Sequence, residues 1–312
     1  MIESLKVVVP DDCPPVLAMS PAFEKLRKQV KVDYFDTLPG SPDRLIERCQ
    51  GAAVVLNVRS SSKFSAGVME RCPDLKLISV WGTGTDNIDL AAAAQRGVKV
   101  TNTPAVSAYS VAEHCLALML ALARRIPAQD SAVRAGTWPR GQGVEMCGKT
   151  LGIVGLGAIG RRFAELGRAI GMRVIAWTMH PDASLGFELT GLDDLLQSSD
   201  VVSVHVRLSP ETHGMLAARE FALMKKTAIL INTARGPIVD EAALLDALRE
   251  KRIAGAGLDV FTTEPLPPDH PLTTMQHVVL TPHSAGITPE ALEAGLQMAV
   301  SNVLRFARGE LQ

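Results

Sequence analysis

The chain has 312 residues, 47% of them hydrophobic and 21% charged, with a formal net charge of -1. That length suits roughly two domains, each with a core of its own, and the near-zero charge speaks against nucleic acid or an anionic membrane as a partner. Five scattered cysteines (Cys13, Cys49, Cys72, Cys115 and Cys147) show no C-x-x-C spacing, which argues against a disulfide frame or a bound metal and for reduced thiols in the cytoplasm.

No signal-peptide pattern precedes the first apolar run, residues 5–9. Residues 30–35, 53–57, 76–80 and 98–100 are further strand candidates, with helical stretches at 21–29, 42–49, 65–71 and 89–96 between them. This βα alternation predicts a parallel sheet covered on both faces. No G-x-G-x-x-G opens any of these units, so this half is expected to hold something other than a dinucleotide. Two loops at strand ends are candidates for binding a small anion, because open parallel sheets place ligands there. Arg59-Ser60-Ser61-Ser62-Lys63 carries two cations, and Trp81-Gly82-Thr83-Gly84-Thr85-Asp86 offers glycine-flanked amides able to cradle a carboxylate.

Asn102-Thr103-Pro104 breaks the pattern and marks a crossing between domains. A long helix over 107–125 follows, apolar on most faces and therefore expected to be buried between domains or subunits. Its most apolar part, 116–123, is too short to span a bilayer. A second helical piece ends near Arg134 and Trp138.

The stretch Lys149 to Gly160 reads K-T-L-G-I-V-G-L-G-A-I-G. Residues 150–154 form a buried-strand pattern, Gly155, Gly157 and Gly160 supply G-x-G-x-x-G, and 161–170 continue as a helix. The first glycine makes a tight turn, the second admits a pyrophosphate, and the third lets helix and strand pack closely. Amides at Ala158 and Ile159 then face the phosphates at the positive end of the helix. Further strands at 173–177, 201–205, 228–232, 255–259 and 278–280, with helices near 217–224 and 240–249, extend the unit. A final amphipathic helix, 289–308, is expected to return to the first domain.

Three charged residues follow three successive strands: Arg235 in N-T-A-R-G, Glu264 in G-L-D-V-F-T-T-E-P, and His283 in T-P-H-S-A-G. Arginine is a planar, permanently charged fork for a carboxylate. Histidine can deliver a proton near neutral pH, and a neighbouring carboxylate favours the imidazolium. Together they suit reduction of a 2-keto acid.

With G-T-G-T-D-N-I-D (Gly82–Asp89) and V-A-E-H (Val111–His114) added, the chain resembles the D-isomer-specific 2-hydroxyacid dehydrogenases over nearly its whole length. The resemblance implies two Rossmann-like, doubly wound α/β domains: a discontinuous substrate domain (1–101 and 285–312) around an inserted NAD(P)-binding domain (102–284). It implies an active site in a cleft that closes by a hinge, and a homodimer in which Trp138 can reach the partner's site. It makes His283 the acid/base and Glu264 its partner. Arg235, Arg59 and Ser60 would bind the small 2-keto or 2-hydroxy acid, its carboxylate held by amides at Thr83 and Gly84. Asp259, Thr233, Ala234 and Gly286 would line the nicotinamide side.

The acidic residue expected about 20 residues past the glycine turn is missing, and Thr178 stands in its place. This leaves NAD and NADP both open as cofactors; His180, Arg161 and Arg162 could each face a 2′-phosphate. Ending at Gln312, the chain is expected to lack the regulatory domain of longer phosphoglycerate dehydrogenases, which counts slightly against a serine-pathway role; Glu264 argues against formate dehydrogenases, which carry glutamine there. The alternative is a dinucleotide-sensing co-repressor on the same scaffold.

Overall fold

A computed structural model describes residues 5–58 and 61–311; the candidates Arg59 and Ser60 lie outside the described residues. The chain divides into two compact units, Met1–Ser107 with Ile287–Gln312, and Ala108–Gly286.

The first unit holds five parallel strands, β1 (Lys6–Val9), β2 (Lys31–Tyr34), β3 (Val54–Asn57), β4 (Leu77–Val80) and β5 (Lys99–Thr101), in the order β2-β1-β3-β4-β5. That is the flavodoxin-like order. Strand alternation sends Val7, Val9, Val54, Leu56 and Leu77 to one face and Val8, Val55 and Ile78 to the other. Helices α1 (Pro21–Arg27), α2 (Pro42–Cys49), α3 (Ala66–Glu70) and α4 (Leu90–Gln95) cover the sheet. Each starts where Ser20, Ser41, Ser65 or Asp89 accepts the backbone N–H three residues on.

The second unit opens with α5 (Ala108–Ala123) and α6 (Ile126–Arg134) and then builds a seven-stranded parallel sheet. Its strands are β6 (Thr150–Val154), β7 (Arg173–Trp177), β8 (Glu188–Leu189), β9 (Val201–Val204), β10 (Ile229–Asn232), β11 (Gly255–Leu258) and β12 (Val278–Leu280). Their order, β12-β11-β10-β9-β6-β7-β8, is that of a doubly wound dinucleotide fold with its reversal between β6 and β9. Helices α7 (Ala158–Ala169), α8 (Leu192–Ser198), α9 (Ala218–Leu223) and α10 (Glu241–Arg249) connect the strands.

The sequence places α5 between domains or subunits. Here its apolar side lies within its own unit, where Val111, Ala112, Cys115, Leu118 and Met119 join Leu151, Ile153, Phe163 and Ile231 in one core. Adding Ala123, the buried positions recur at three- and four-residue steps, so one face suffices to bury the helix. By contrast, α6 has no buried residue. The final helix, α11 (Pro289–Ala307), packs in the first unit, with Leu296, Ala299, Val300, Val303 and Leu304 against Val7, Val9, Leu56 and Leu77.

Candidate active site

Register decides where the functional side chains emerge. In the second sheet Val154 pairs with both Trp177 and Val204, Val204 with Asn232, Asn232 with Leu258, and Leu258 with Leu280. The residues that follow these strands, Thr178, Gly155, His205, Thr233, Asp259 and Thr281, therefore share one carboxyl edge, where open α/β sheets bind their ligands.

At the reversal point the glycine turn is sterically specified. Gly155 has φ +106, and a Cβ there would lie 2.8 Å from the His205 carbonyl carbon. A Cβ on Gly160 would come within 2.0 Å of the Gly155 oxygen, whereas one on Gly157 would meet nothing within 4 Å. Gly157 begins α7 without any side-chain cap, so the first-turn amides of Ala158 and Ile159 are left for a ligand, with the helix dipole behind them. These residues fit a pyrophosphate. His205, which the sequence places only at the end of a strand, backs the turn. Its Nε2 lies 2.9 Å from Ser203 Oγ and its ring meets Phe163 edge-on. Burial pushes its imidazole down to about 3, which keeps it neutral.

Thr178 follows β7 immediately and is partly exposed. Of the cations the sequence offers to a 2′-phosphate, Arg162 is engaged elsewhere. It stacks 4.2 Å from the Tyr109 ring and pairs with Glu165 at 2.6 Å. Arg161 and His180 are both exposed, and the charge of Arg161 reaches Asp182 in the loop beyond β7.

At the other end of the edge, His283 Nδ1 lies 2.8 Å from Glu264 Oε2, and Glu264 Oε1 accepts the Phe261 N–H at 3.0 Å. Half-burial pushes the Glu264 carboxyl up. The His283 ring, the Phe261 amide, and the charges of His283 and Arg235 more than offset this and hold it below its ordinary value. An ionised Glu264 only accepts hydrogen bonds, so His283 carries a proton on Nδ1 and turns Nε2 outward. Arg235 stands on a turn clamped by Asn232, whose Oδ1 accepts from the Ala234 amide and whose Nδ2 donates to the Arg235 oxygen, both at 3.0 Å. Asn232 escaped the sequence reading; the signal was a polar residue closing an apolar strand.

Asp259 is fully buried. Its Oδ1 accepts from Thr281 Oγ1 at 2.6 Å and the Ser284 amide at 2.9 Å, and its Oδ2 accepts from the Ala285 amide at 2.9 Å. Both oxygens thus serve the turn that carries His283. Thr233 is buried with its hydroxyl 3.1 Å from Cys115 Sγ, while Ala234 and Gly286 are partly exposed.

In the first unit, Thr83 and Gly84 sit on a loop held by its neighbours. The Gly82 amide donates to Thr103 Oγ1 at 2.7 Å, and Asn102 Nδ2 donates to the Thr83 oxygen at 2.8 Å. Thr83 is exposed. Among the described residues no cluster of three or more metal-ligating side chains forms, and no helix is long and apolar enough to cross a membrane.

Comparison with known proteins gives this geometry its setting. Residues 116–285 match the family model "D-isomer specific 2-hydroxyacid dehydrogenase, NAD binding domain". A glyoxylate reductase of Aeropyrum pernix is 42% identical over 303 residues, covering 93% of this chain and 90% of that protein. A D-3-phosphoglycerate dehydrogenase of Methanocaldococcus jannaschii is 40% identical over 86% of this chain but only 52% of its own length. Among solved structures, an acyclic imino acid reductase in complex with NADPH and D-Arg superposes with a TM-score of 0.90 at 29% identity, covering 98% of both chains. The chain belongs to the D-isomer-specific 2-hydroxyacid dehydrogenase family, an NAD(P)-dependent oxidoreductase with its dinucleotide-binding domain in the second unit.

Proposed function

We propose that the protein reduces a small 2-keto acid to the D-2-hydroxy acid, with His283 as proton donor and Arg235 as substrate anchor. One observation carries this reading: the His283–Glu264 pair, 2.8 Å apart, stands on the carboxyl edge of the dinucleotide sheet, within electrostatic reach of Arg235. Bound NAD(P)H supplies the hydride. His283 holds a proton at Nε2 for the carbonyl oxygen, and Glu264 fixes the ring through Nδ1. Arg235 orients the substrate carboxylate as a fork and stabilises the charge developing beside it. The amides of Thr83 and Gly84, together with Arg59 and Ser60, would hold the same carboxylate. The Gly155–Gly160 turn, Ala158 and Ile159 would cradle the pyrophosphate. Thr178 would lie beside the adenosine ribose, and Thr233, Ala234, Asp259 and Gly286 would line the nicotinamide side. The domain roles follow: residues 1–101 and 285–312 serve the substrate, and 102–284 the cofactor.

The test is a panel of 2-keto acids with NADH and with NADPH, followed by the absorbance of the reduced nicotinamide. Glyoxylate, named for the Aeropyrum relative, and hydroxypyruvate come first. Turnover of at least one acid supports the reading. Tight dinucleotide binding with no turnover of any acid would overturn it in favour of a dinucleotide-sensing binding protein.

A further inference from the structure

His283 is held in a conformation its own backbone does not favour. Its φ is +52, in the left-handed region that side-chain-bearing residues disfavour. Such a conformation persists only where the surroundings over-determine it, and here one residue supplies most of the restraint. The His283 amide donates to the Asp259 backbone oxygen at 2.8 Å. The next two amides, of Ser284 and Ala285, donate to the two oxygens of the Asp259 carboxylate. The orientation of that carboxylate therefore sets the turn.

What orients the carboxylate comes from α5. Thr281 Oγ1 gives its only proton to Asp259 Oδ1 at 2.6 Å. It can therefore only accept from His114 Nε2, which lies 2.9 Å away. His114 Nε2 is itself 3.7 Å from Asp259 Oδ1. The His114 side chain is 23% exposed, so packing alone does not account for a histidine aimed at this hydroxyl. An ordered series results: a ring N–H on α5, a hydroxyl, a buried carboxylate, two turn amides and the His283 backbone.

We propose that His114 is a positioning residue for His283, acting through Thr281 and Asp259 to keep its ring at Glu264 with Nε2 presented for proton transfer. This rests on the reading of His283 as proton donor. Hydrogen-bonded groups in series of this kind hold a site to the fraction of an ångström that catalysis requires.

The experiment compares His114→Leu, His114→Gln, Thr281→Val, Thr281→Ser and the double variant His114→Leu/Thr281→Val, using whichever acid the parent reduces. His114→Leu should lower kcat on the order of tenfold, the lower end of what loss of such a supporting partner costs, with a smaller change in the dinucleotide KM. Glutamine places an amide N–H near the position of Nε2, so His114→Gln should recover most of the loss, and Thr281→Ser should do the same relative to Thr281→Val. The double variant should be no slower than Thr281→Val alone, because both act through one connection. Unchanged kcat in His114→Leu, glutamine no better than leucine, or additive losses would each overturn the proposal. Crystal structures of His114→Leu and His114→Gln provide a readout independent of turnover. A residue 283 still left-handed and still 2.8 Å from Glu264 in the leucine variant would overturn the inference. A parent inert toward every acid would instead count against the enzymatic reading.

Discussion

At the scale of single residues, the proposed chemistry concentrates on His283 Nδ1, Glu264 Oε2 and the guanidinium of Arg235. His283→Ala should lower reductive turnover by about 100-fold or more, the usual scale for a lost general acid. Arg235→Lys should also be severe, because a point charge cannot replace a planar fork; near-normal kcat and KM in that variant would remove Arg235 from its assigned role. Glu264 makes a separate prediction through pH. Its carboxyl lies below its ordinary value in the folded chain, so its ionised form favours the native state above the unfolded glutamate range. That contribution fades as pH falls through the lower native value. Glu264→Gln should therefore melt below the parent at neutral pH, with the gap closing in acid. Melting curves across pH check this, and a gap that widened toward acid would contradict the pairing.

At the scale of elements, the glycine turn and the strand beside it offer two tests. A methyl group on residue 160 would sit 2.0 Å from the Gly155 oxygen, too close for a backbone atom to yield cheaply. Gly160→Ala should lower stability by roughly 1–3 kcal/mol and weaken dinucleotide binding, checked by denaturant unfolding and NADH titration. At Thr178, no carboxylate repels a 2′-phosphate, and no arginine directly after it grips one. The parent should accept NADPH with discrimination of about tenfold either way. Thr178→Asp should shift preference toward NADH, read as the ratio of kcat/KM for the two cofactors. The strands and the turn were legible in the sequence because short apolar runs and glycines act locally. The brief edge strand Glu188–Leu189 and the helix Leu192–Ser198 were not, since two edge residues carry no alternation worth reading. The triad could be suspected because strand ends share an edge. The link from His114 to Thr281 could not, because 167 residues separate the two and only the fold brings them together.

At the scale of the whole molecule, two parallel sheets were implied by βα alternation, but their strand orders and the partners of α5 and α6 were not. An apolar helix reads the same whether its own domain or a neighbour covers it. The exposed stretch that begins at α6 bears Ile126, Val133, Trp138 and Val144, with Trp138 at 75% exposure. Large apolar side chains left exposed along one segment point to a covering partner. The protein is therefore expected to be a homodimer whose interface includes this stretch, and light scattering at micromolar concentration should return twice the chain mass. A monomer would remove both the interface and any reach of Trp138 into a partner's site.

The arrangement of α11 has a consequence for how the chain is made. The Ser79 hydroxyl donates to the Ala299 backbone oxygen, 220 residues further on, and five apolar side chains of α11 close the core that β1 and β3 begin. During synthesis the first sheet therefore waits, with one apolar face covered only in part by Ala22, Phe23 and Leu26 of α1, until α11 emerges. At 5–20 residues per second the delay is roughly 10–40 s. The second unit, continuous in sequence, can complete its core earlier. Translation thus completes the inserted domain before the enclosing one, and the exposed intermediate is the nascent N-terminal sheet.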